Sequence, residues 1–263
     1  MAIADLDKQP DSVSSVLKVF GILQALGEER EIGITELSQR VMMSKSTVYR
    51  FLQTMKSLGY VAQEGDSEKY SLTLKLFELG AKALQNVDLI RSADIQMRHL
   101  SEETRETIHL GALDEDSIVY IHKIDSMYNL RMYSRIGRRN PLHSTAIGKV
   151  LLAWRDRDEV KEILSGIDFT RSTPHTICST EDLLPVLDRV REQGFGEDIE
   201  EQEEGLRCIA VPVFDRFGVV ISGLSISFPT IRFSEDNKGE IVNKLHASAR
   251  YISEQMGYHD YPF

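Results

Sequence analysis

Between Thr35 and Leu72 the chain lays out, in order, a short helical pattern, a tight turn, a longer amphipathic helix and two β-prone runs. That order leaves few folds open. Thr35 opens the short helix ELSQRV, and Met42-Met43 make the turn. Ser44 then caps KSTVYRFLQTMKSLG, which stops at Gly59: a hydroxyl cap satisfies free N–H groups at the start, and glycine tolerates the left-handed backbone at the end. In the longer helix Val48, Phe51, Leu52, Met55 and Leu58 share one face, and at roughly 100° per residue Ser46, Arg50 and Gln53 fall opposite. Two short runs beginning at Tyr60 and Lys69, separated by EGDSE, read as a hairpin with Gly65 and Asp66 in its turn. A helix-turn-helix followed at once by such a wing is a compact DNA-binding module. Upstream, Asp11 or Ser12 caps a core-facing first helix that carries Val13, Val16, Leu17, Phe20, Leu23 and Leu26 and ends near Gly27.

The net charge of −10 argues against nucleic acid when taken as an average, because phosphate binding needs a basic surface. The distribution is uneven. Residues 1–75 hold nine Lys/Arg against ten Asp/Glu, and the remainder holds 22 against 31. From Leu37 to Gln63 there is no acid, while Arg40, Lys45, Arg50 and Lys56 supply four positive charges. Ser44, Ser46 and Thr47 place hydroxyls and a helix N-terminus where a phosphate can be held. Lys45 and Arg50 supply charge, and Arg50 can also pair with a guanine edge. Tyr49 either bonds a phosphate or packs on the first helix. Thr35, Gln53 and, on the wing, Lys69 complete the expected DNA-facing set. A solvated amphipathic helix is the plain alternative, and the turn length, the acid-free run and the wing together favour DNA.

At 263 residues the chain has room for about two domains. Its 41% hydrophobic and 27% charged residues are those of a globular protein rather than a disordered one. Residues 1–75 read as the winged helix-turn-helix, 76–104 as linker helices broken near Asn86, with an apolar stripe at Leu74, Phe77 and Leu84, and 105–263 as an α+β domain. Strands are expected at ETIHLGAL, SIVYIHKID, NLRMYSR, LRCIAVPVF and VVISGLSISF. Helices are expected over Ser144–Trp154, Arg157–Leu164, Glu181–Gln193 and Glu235–Met256, and YHDYPF as a short tail. That pattern describes one sheet covered by helices, a sensory type of domain. A small DNA reader works with a two-fold partner, so a homodimer is expected, with tetramers left open.

Cys178 and Cys208 form no CxxC pair, so neither a disulfide framework nor a metal site is expected, and the thiols read as reduced in a cytoplasm. No run approaches the ~20 apolar residues of a membrane span, and MAIADLDKQPDSVSS lacks the order of a signal peptide. GxSxG, HExxH, P-loop and GxGxxG patterns are absent, so no catalytic residue and no cofactor are expected. On the residues alone, the acidic run Glu197–Glu204 reads as a solvated loop and Cys208 as a small buried hydrophobe. Ser225 and Ser227 read as alternate positions of a half-buried strand, and His143 as a structural hydrogen-bonder.

The winged module, GRRNPLHSTAIGKVLLA (137–153) and GFGEDIEEQEEGLRCIAVPVFDRFGVVISGLSISFP (194–229) together resemble the IclR-type transcriptional regulators over nearly the whole length. The resemblance implies a GAF-like effector domain after the DNA-binding one. In its cavity Thr145, Ala146 and Ile147 line one side, Asp198 and Cys208 another, and Ser225 and Ser227 the floor. A sugar acid suits those residue types: its carboxylate meets free N–H groups at the start of the helix after Ser144, and its hydroxyls meet Asp198 and the serines. Ile199 departs from the family by standing where relatives often carry a polar residue. The run LSQRVMMSKSTVYRFLQTMK and the ending MGYHDYPF are most similar to family repressors of pectin and sugar-acid catabolism genes. The likeness implies release from operator DNA by 2-keto-3-deoxygluconate, with another small organic acid, or activation, as the alternatives.

Overall fold

A computed structural model describes residues 13–63, 67–84, 89–130 and 132–263, and divides the chain into two units, Met1–Asn86 and Val87–Phe263. In the first unit α1 (Ser14–Gly27) precedes β1 (Ile32–Gly33), α2 (Ile34–Arg40) and α3 (Lys45–Ser57). The wing follows as β2 (Val61–Gln63) and β3 (Lys69–Leu72), paired antiparallel with Gln63 opposite Tyr70. The expected turn at Gly65 and Asp66 lies outside the described residues, as do the expected caps Asp11 and Ser12. β1 adds a third strand by pairing with β3. α4 (Leu74–Leu84) closes the unit. Val48, Leu52 and Met55 of α3 pack with Ile22 and Leu26 of α1 in the core, as their spacing requires.

The first helix is only half core-facing. Ile22, Ala25 and Leu26 are buried, whereas Val13, Val16 and Phe20 are exposed, because only the C-terminal half of α1 lies on the rest of the unit. α2 begins at Ile34 with Gly33 as its N-cap, so Thr35 sits inside the first turn, where its carbonyl accepts from Ser38 Oγ at 2.7 Å.

In the second unit α5 (Leu89–Thr104) leads into a six-stranded antiparallel sheet of order β6-β5-β4-β9-β8-β7. Its strands are β4 (Thr107–Asp114), β5 (Ser117–Ile124), β6 (Arg139–Pro141), β7 (Gly196–Ile199), β8 (Leu206–Phe214) and β9 (Val220–Pro229). Between them run α6 (Ala146–Ala153), α7 (Arg157–Ser165) and α8 (Thr180–Gln193), and α9 (Lys238–Gln255) ends the domain. α5 and α9 pack together and on the sheet. The other face of the sheet carries α6, backed by α8. Under α6 the strands present glycines: Ile147 lies so close to Gly111 and Gly223 that an added Cβ would meet it at 3.1 and 2.9 Å. Among the described residues no helix is long and apolar enough to cross a membrane.

The two helices expected as one linker divide between the units. Leu89, Ala93, Met97 and Leu100 give α5 a buried stripe in the second core, which makes it a layer of that domain. The described residues of NLRMYSR form no strand, and β6 takes the sheet edge beside β5. Ser134 is buried and Met132 half-buried, while Tyr133 is 74% exposed, so a covering segment imitates the alternation of a strand. β7 arises inside the acidic run because its backbone pairs with β8, Asp198 opposite Cys208. The tail is docked: the Tyr261 hydroxyl donates to Pro212 O at 3.1 Å, and the Phe263 ring packs against Trp154 and His246.

Candidate functional site: an exposed helix face and a buried cavity

Ser44 caps α3 by accepting from Thr47 N at 3.3 Å, and its Oγ lies 3.1 Å from Ser46 Oγ and 2.9 Å from Thr47 Oγ1. The result is a hydroxyl cluster at the positive end of the helix, where the first N–H groups have no helical partner. Lys45, Ser46, Tyr49 and Arg50 are exposed around it. Lys45 and Arg50 form no ion pair among the described residues, so their charge is free for phosphate. Gln53 is half-buried beside the Tyr70 phenol of the wing.

The basic patch is smaller than its composition. Arg40 is held by Glu36, Glu28 and Glu29 at 2.7, 3.1 and 3.4 Å, acids from outside the acid-free run that fold back onto it. Lys56 donates to Gln63 Oε1 at 2.9 Å. Lys69 is paired with Glu31 across the neighbouring strand. Thr35 is exposed on α2.

In the second unit a cavity opens between α6, the sheet and the segment after β5. It is lined by Tyr120, Met132, Thr145, Ala146, Ile147, Asp198, Gln202, Cys208 and Ser225. Six of the seven residues expected there are therefore together. Ser227 stands behind them: its Oγ accepts from Cys208 Sγ at 3.1 Å and lies 3.4 Å from His109 Nδ1. α6 starts at Ala146, with Thr145 as the cap: Thr145 Oγ1 accepts from Gly148 N at 3.2 Å and donates to Pro141 O at 2.7 Å. Lys149 N bonds Thr145 O at 3.1 Å, so among the described residues the N–H groups of Ala146 and Ile147 are left without a partner beside the cavity.

Among the acids of the run, Asp198 is the described one that lines the cavity. Its Oδ1 accepts from the N–H groups of Glu201 at 2.8 Å and Gln202 at 3.3 Å. Glu197 is held by Arg207 and Lys238, and Glu203 and Glu204 are exposed. Burial pushes the Asp198 carboxyl up to about 7, against the opposing pull of its backbone donors and Lys149. Burial likewise pushes the Cys208 thiol and the Tyr120 phenol up, and pushes His109 down to about 3, so all three are neutral at neutral pH.

Sequence reasoning missed several participants. Lys149 is 1% exposed, donates to Glu197 O at 2.8 Å and is ion-paired with the buried Glu201. His109 stacks on Tyr120 with centroids 4.3 Å apart and shares a 2.7 Å hydrogen bond with Ser134. Tyr120 and Met132 reach the cavity through sheet register and chain path. Gln202, the one amide in the acidic run, is the only one of these with a visible compositional signal. His143 donates from Nε2 to Thr170 O at 3.2 Å and packs on Phe169, away from the cavity lining.

Residues 15–65 match the IclR helix-turn-helix domain, and residues 81–254 match the family described as bacterial transcriptional regulator IclR C-terminal. An HTH-type transcriptional regulator KdgR of Dickeya chrysanthemi is 90% identical over 263 residues, which cover 100% of this chain and 86% of that protein. The HTH-type transcriptional regulator KdgR of Escherichia coli K12 is 87% identical over 263 residues, 100% of both chains. The crystal structure of the Thermotoga maritima IclR superposes with a TM-score of 0.79 at 31% identity, covering 93% of this chain and 99% of that one. These relatives bear the names of regulators and not of enzymes, and both halves of the family's architecture lie in one chain here. The chain belongs to the IclR family of DNA-binding transcriptional regulators.

Proposed function

We propose that the chain is a cytoplasmic repressor of sugar-acid catabolism genes that leaves its operator when 2-keto-3-deoxygluconate fills the cavity. Residues 1–75 bind double-stranded DNA, residues 105–263 bind the effector, and the helices of 76–104 couple them. The observation that carries this reading is the cavity itself: free helix N–H groups at Ala146 and Ile147 stand opposite Asp198 and Ser225 in one buried space. The N–H groups suit a carboxylate, and the side-chain oxygens suit hydroxyl or keto oxygens. Cys178 and Cys208, both free, fit a reducing compartment.

Repression needs two recognition helices on one operator. Leu74, Phe77 and Leu79 are exposed on α4, and Leu76 and Leu79 border, with Phe20 and Leu58, an apolar groove of about 260 Å³. An apolar surface of that kind is what a second copy covers. A homodimer then sets two α3 helices about 34 Å apart, one turn of DNA or a multiple of it. Two such dimers pairing would give a tetramer.

The cavity holds only about 10 Å³, room for one water molecule and too little for a sugar acid. Effector entry must therefore part the lining. Met132 belongs to the covering segment, which is tethered by the Ser134–His109 bond and by Lys123 Nζ donating to Ser134 O at 2.7 Å. A ligand that must displace this segment prefers one arrangement of the domain over another, which is the requirement for a switch. Moving a population from 99% to 1% DNA-competent takes about a 10⁴-fold preference between the two states.

Titration of operator DNA from sugar-acid catabolism genes at fixed salt, with and without 2-keto-3-deoxygluconate, tests both halves. Two chains per site and release by the acid are expected. Binding that the acid leaves untouched rejects the effector, and no specific binding rejects the operator. In the same assay Arg50→Ala weakens binding by about 1–3 kcal/mol if Arg50 reads a base. An unaltered affinity removes Arg50 from the interface.

A further inference from the structure

We propose that Asp198 meets the effector as a neutral carboxylic acid, donating from Oδ2, and that an acidic effector therefore binds with uptake of one proton from solvent. The inference rests on the reading of the cavity as the site of a carboxylate-bearing ligand.

Among the described residues the cavity lining contains no Lys or Arg. From α6 comes Lys149, whose Nζ is committed to Glu197 O and the Glu201 carboxylate. From the turn after β7 comes Glu201 itself, 7% exposed, whose charge Lys149 balances. From β8 and β5 come the Cys208 thiol and the Tyr120 phenol, both kept neutral by burial. From β4 comes His109, behind Tyr120 and also neutral. Glu197, the other acid of β7, is paired with Arg207 and Lys238. With Lys149 the one cation shared by Glu201 and Asp198, an ionised Asp198 leaves these described groups with one net negative charge beside the cavity. An effector carboxylate would add a second charge within the same small, water-poor space, and two carboxylates sharing such a site cannot both stay ionised.

Geometry decides which of the two takes the proton. Asp198 is 2% exposed, and its Oδ1 is occupied by the Glu201 and Gln202 N–H groups. Oδ2 makes no hydrogen bond among the described residues, so it is the oxygen left for a ligand. The effector carboxylate has the two free N–H groups of α6 to hold its charge. Asp198 has the costlier ionised form, because burial holds it near neutral pH even before a ligand arrives. As a neutral acid it donates to a carboxylate or keto oxygen that an ionised Asp198 would repel. A ligand whose oxygens are all hydroxyls could be read by either form, so the protonated side chain selects for acids.

Isothermal titration calorimetry of the full chain with 2-keto-3-deoxygluconate, in phosphate and in Tris at pH 7 and pH 8, counts the protons. Uptake of about half a proton at pH 7 and nearly one at pH 8 is expected, with affinity falling toward about tenfold per unit as pH rises above 7. Asp198→Asn keeps a donor and removes the titration, so its binding loses both the proton uptake and the pH slope. If circular dichroism shows that variant unfolded, the wild-type proton count decides alone. Binding without uptake overturns the proposal and leaves the effector in place, as does uptake that persists in a folded Asp198→Asn variant. The absence of any binding heat, with no release from operator DNA, overturns the effector reading and this proposal with it.

Discussion

Replacing Lys149 with Met is expected to remove about 3–5 kcal/mol from the stability of the second unit, the cost of stranding one member of a buried ion pair. Lys149 and Glu201 are 1% and 7% exposed, and Glu201 Oε2 has no hydrogen-bond partner among the described residues, so Lys149 is the main compensation for that carboxylate. Met retains most of the aliphatic stem and its packing, which isolates the electrostatic loss. Trp154 is the only tryptophan in the chain and packs against Phe214 and Phe263, so its fluorescence in a urea titration reports the second unit selectively. The pH dependence has a definite sign. Burial already raises the Glu201 carboxyl, and without Lys149 it rises further. The folded variant then gains a proton that the unfolded chain does not hold, so the deficit is largest at high pH and shrinks as pH falls. Adding Glu201→Leu to Lys149→Met should recover much of the loss, because a matched apolar pair carries no desolvation cost. A single-variant loss below about 1 kcal/mol, the scale of an exposed pair, would mean that the pair is hydrated in solution.

Gly148→Ala is expected to separate the two functions of the chain. A Cβ at this position would lie 2.2 Å from Leu142 O, 2.6 Å from Leu142 Cα and 2.7 Å from Leu142 C. All three are backbone atoms, so no side chain can swing aside and the start of α6 must move. Overpacking of this kind costs about 1–3 kcal/mol, and the displaced turn carries the free N–H groups of Ala146 and Ile147. Thermal unfolding should shift down, and 2-keto-3-deoxygluconate should no longer release the protein from DNA. Operator affinity without the acid should hold, since α3 belongs to the other unit. Gly239→Ala, in the first turn of α9, is the control: nothing lies within 4 Å of its added Cβ, so stability and release are expected to stay as in the unsubstituted protein. Normal release in Gly148→Ala would place the effector away from the start of α6.

The two variants probe what sequence reasoning could not reach, and the reasons are physical. The helix-turn-helix was legible because its determinants are local. Val48, Leu52 and Met55 recur at helical spacing, Ser44 caps the helix that follows it, and Arg50 lies opposite the apolar stripe. The sides of charged residues were less legible. Arg40 counted toward the basic patch until Glu28, Glu29 and Glu36 were seen to fold onto it, and Lys69 until Glu31 was. Formal charge is additive along a chain, but the field at a surface depends on which acids fold next to which bases.

For the cavity the division is sharper. Asp198, Cys208 and Ser225 were reached through family likeness, since an acid in an acidic run and a serine in an alternating strand look like any other. The sequence by itself determined the order of elements, the face of α3 that meets water and the apolar periods that build both cores, because these follow from interactions within a few residues. Only the tertiary structure decided that Lys149 would be neutralised by Glu201, 52 residues away, and that Tyr120 and Met132 would line the same cavity as Asp198. It also decided that the described residues of the run at 129–135 would form no strand, Met132 lining the cavity, and that the acidic run would contribute an edge strand. Pairing and burial depend on which distant segments become neighbours, and neither local propensity nor hydrophobic period records those neighbours.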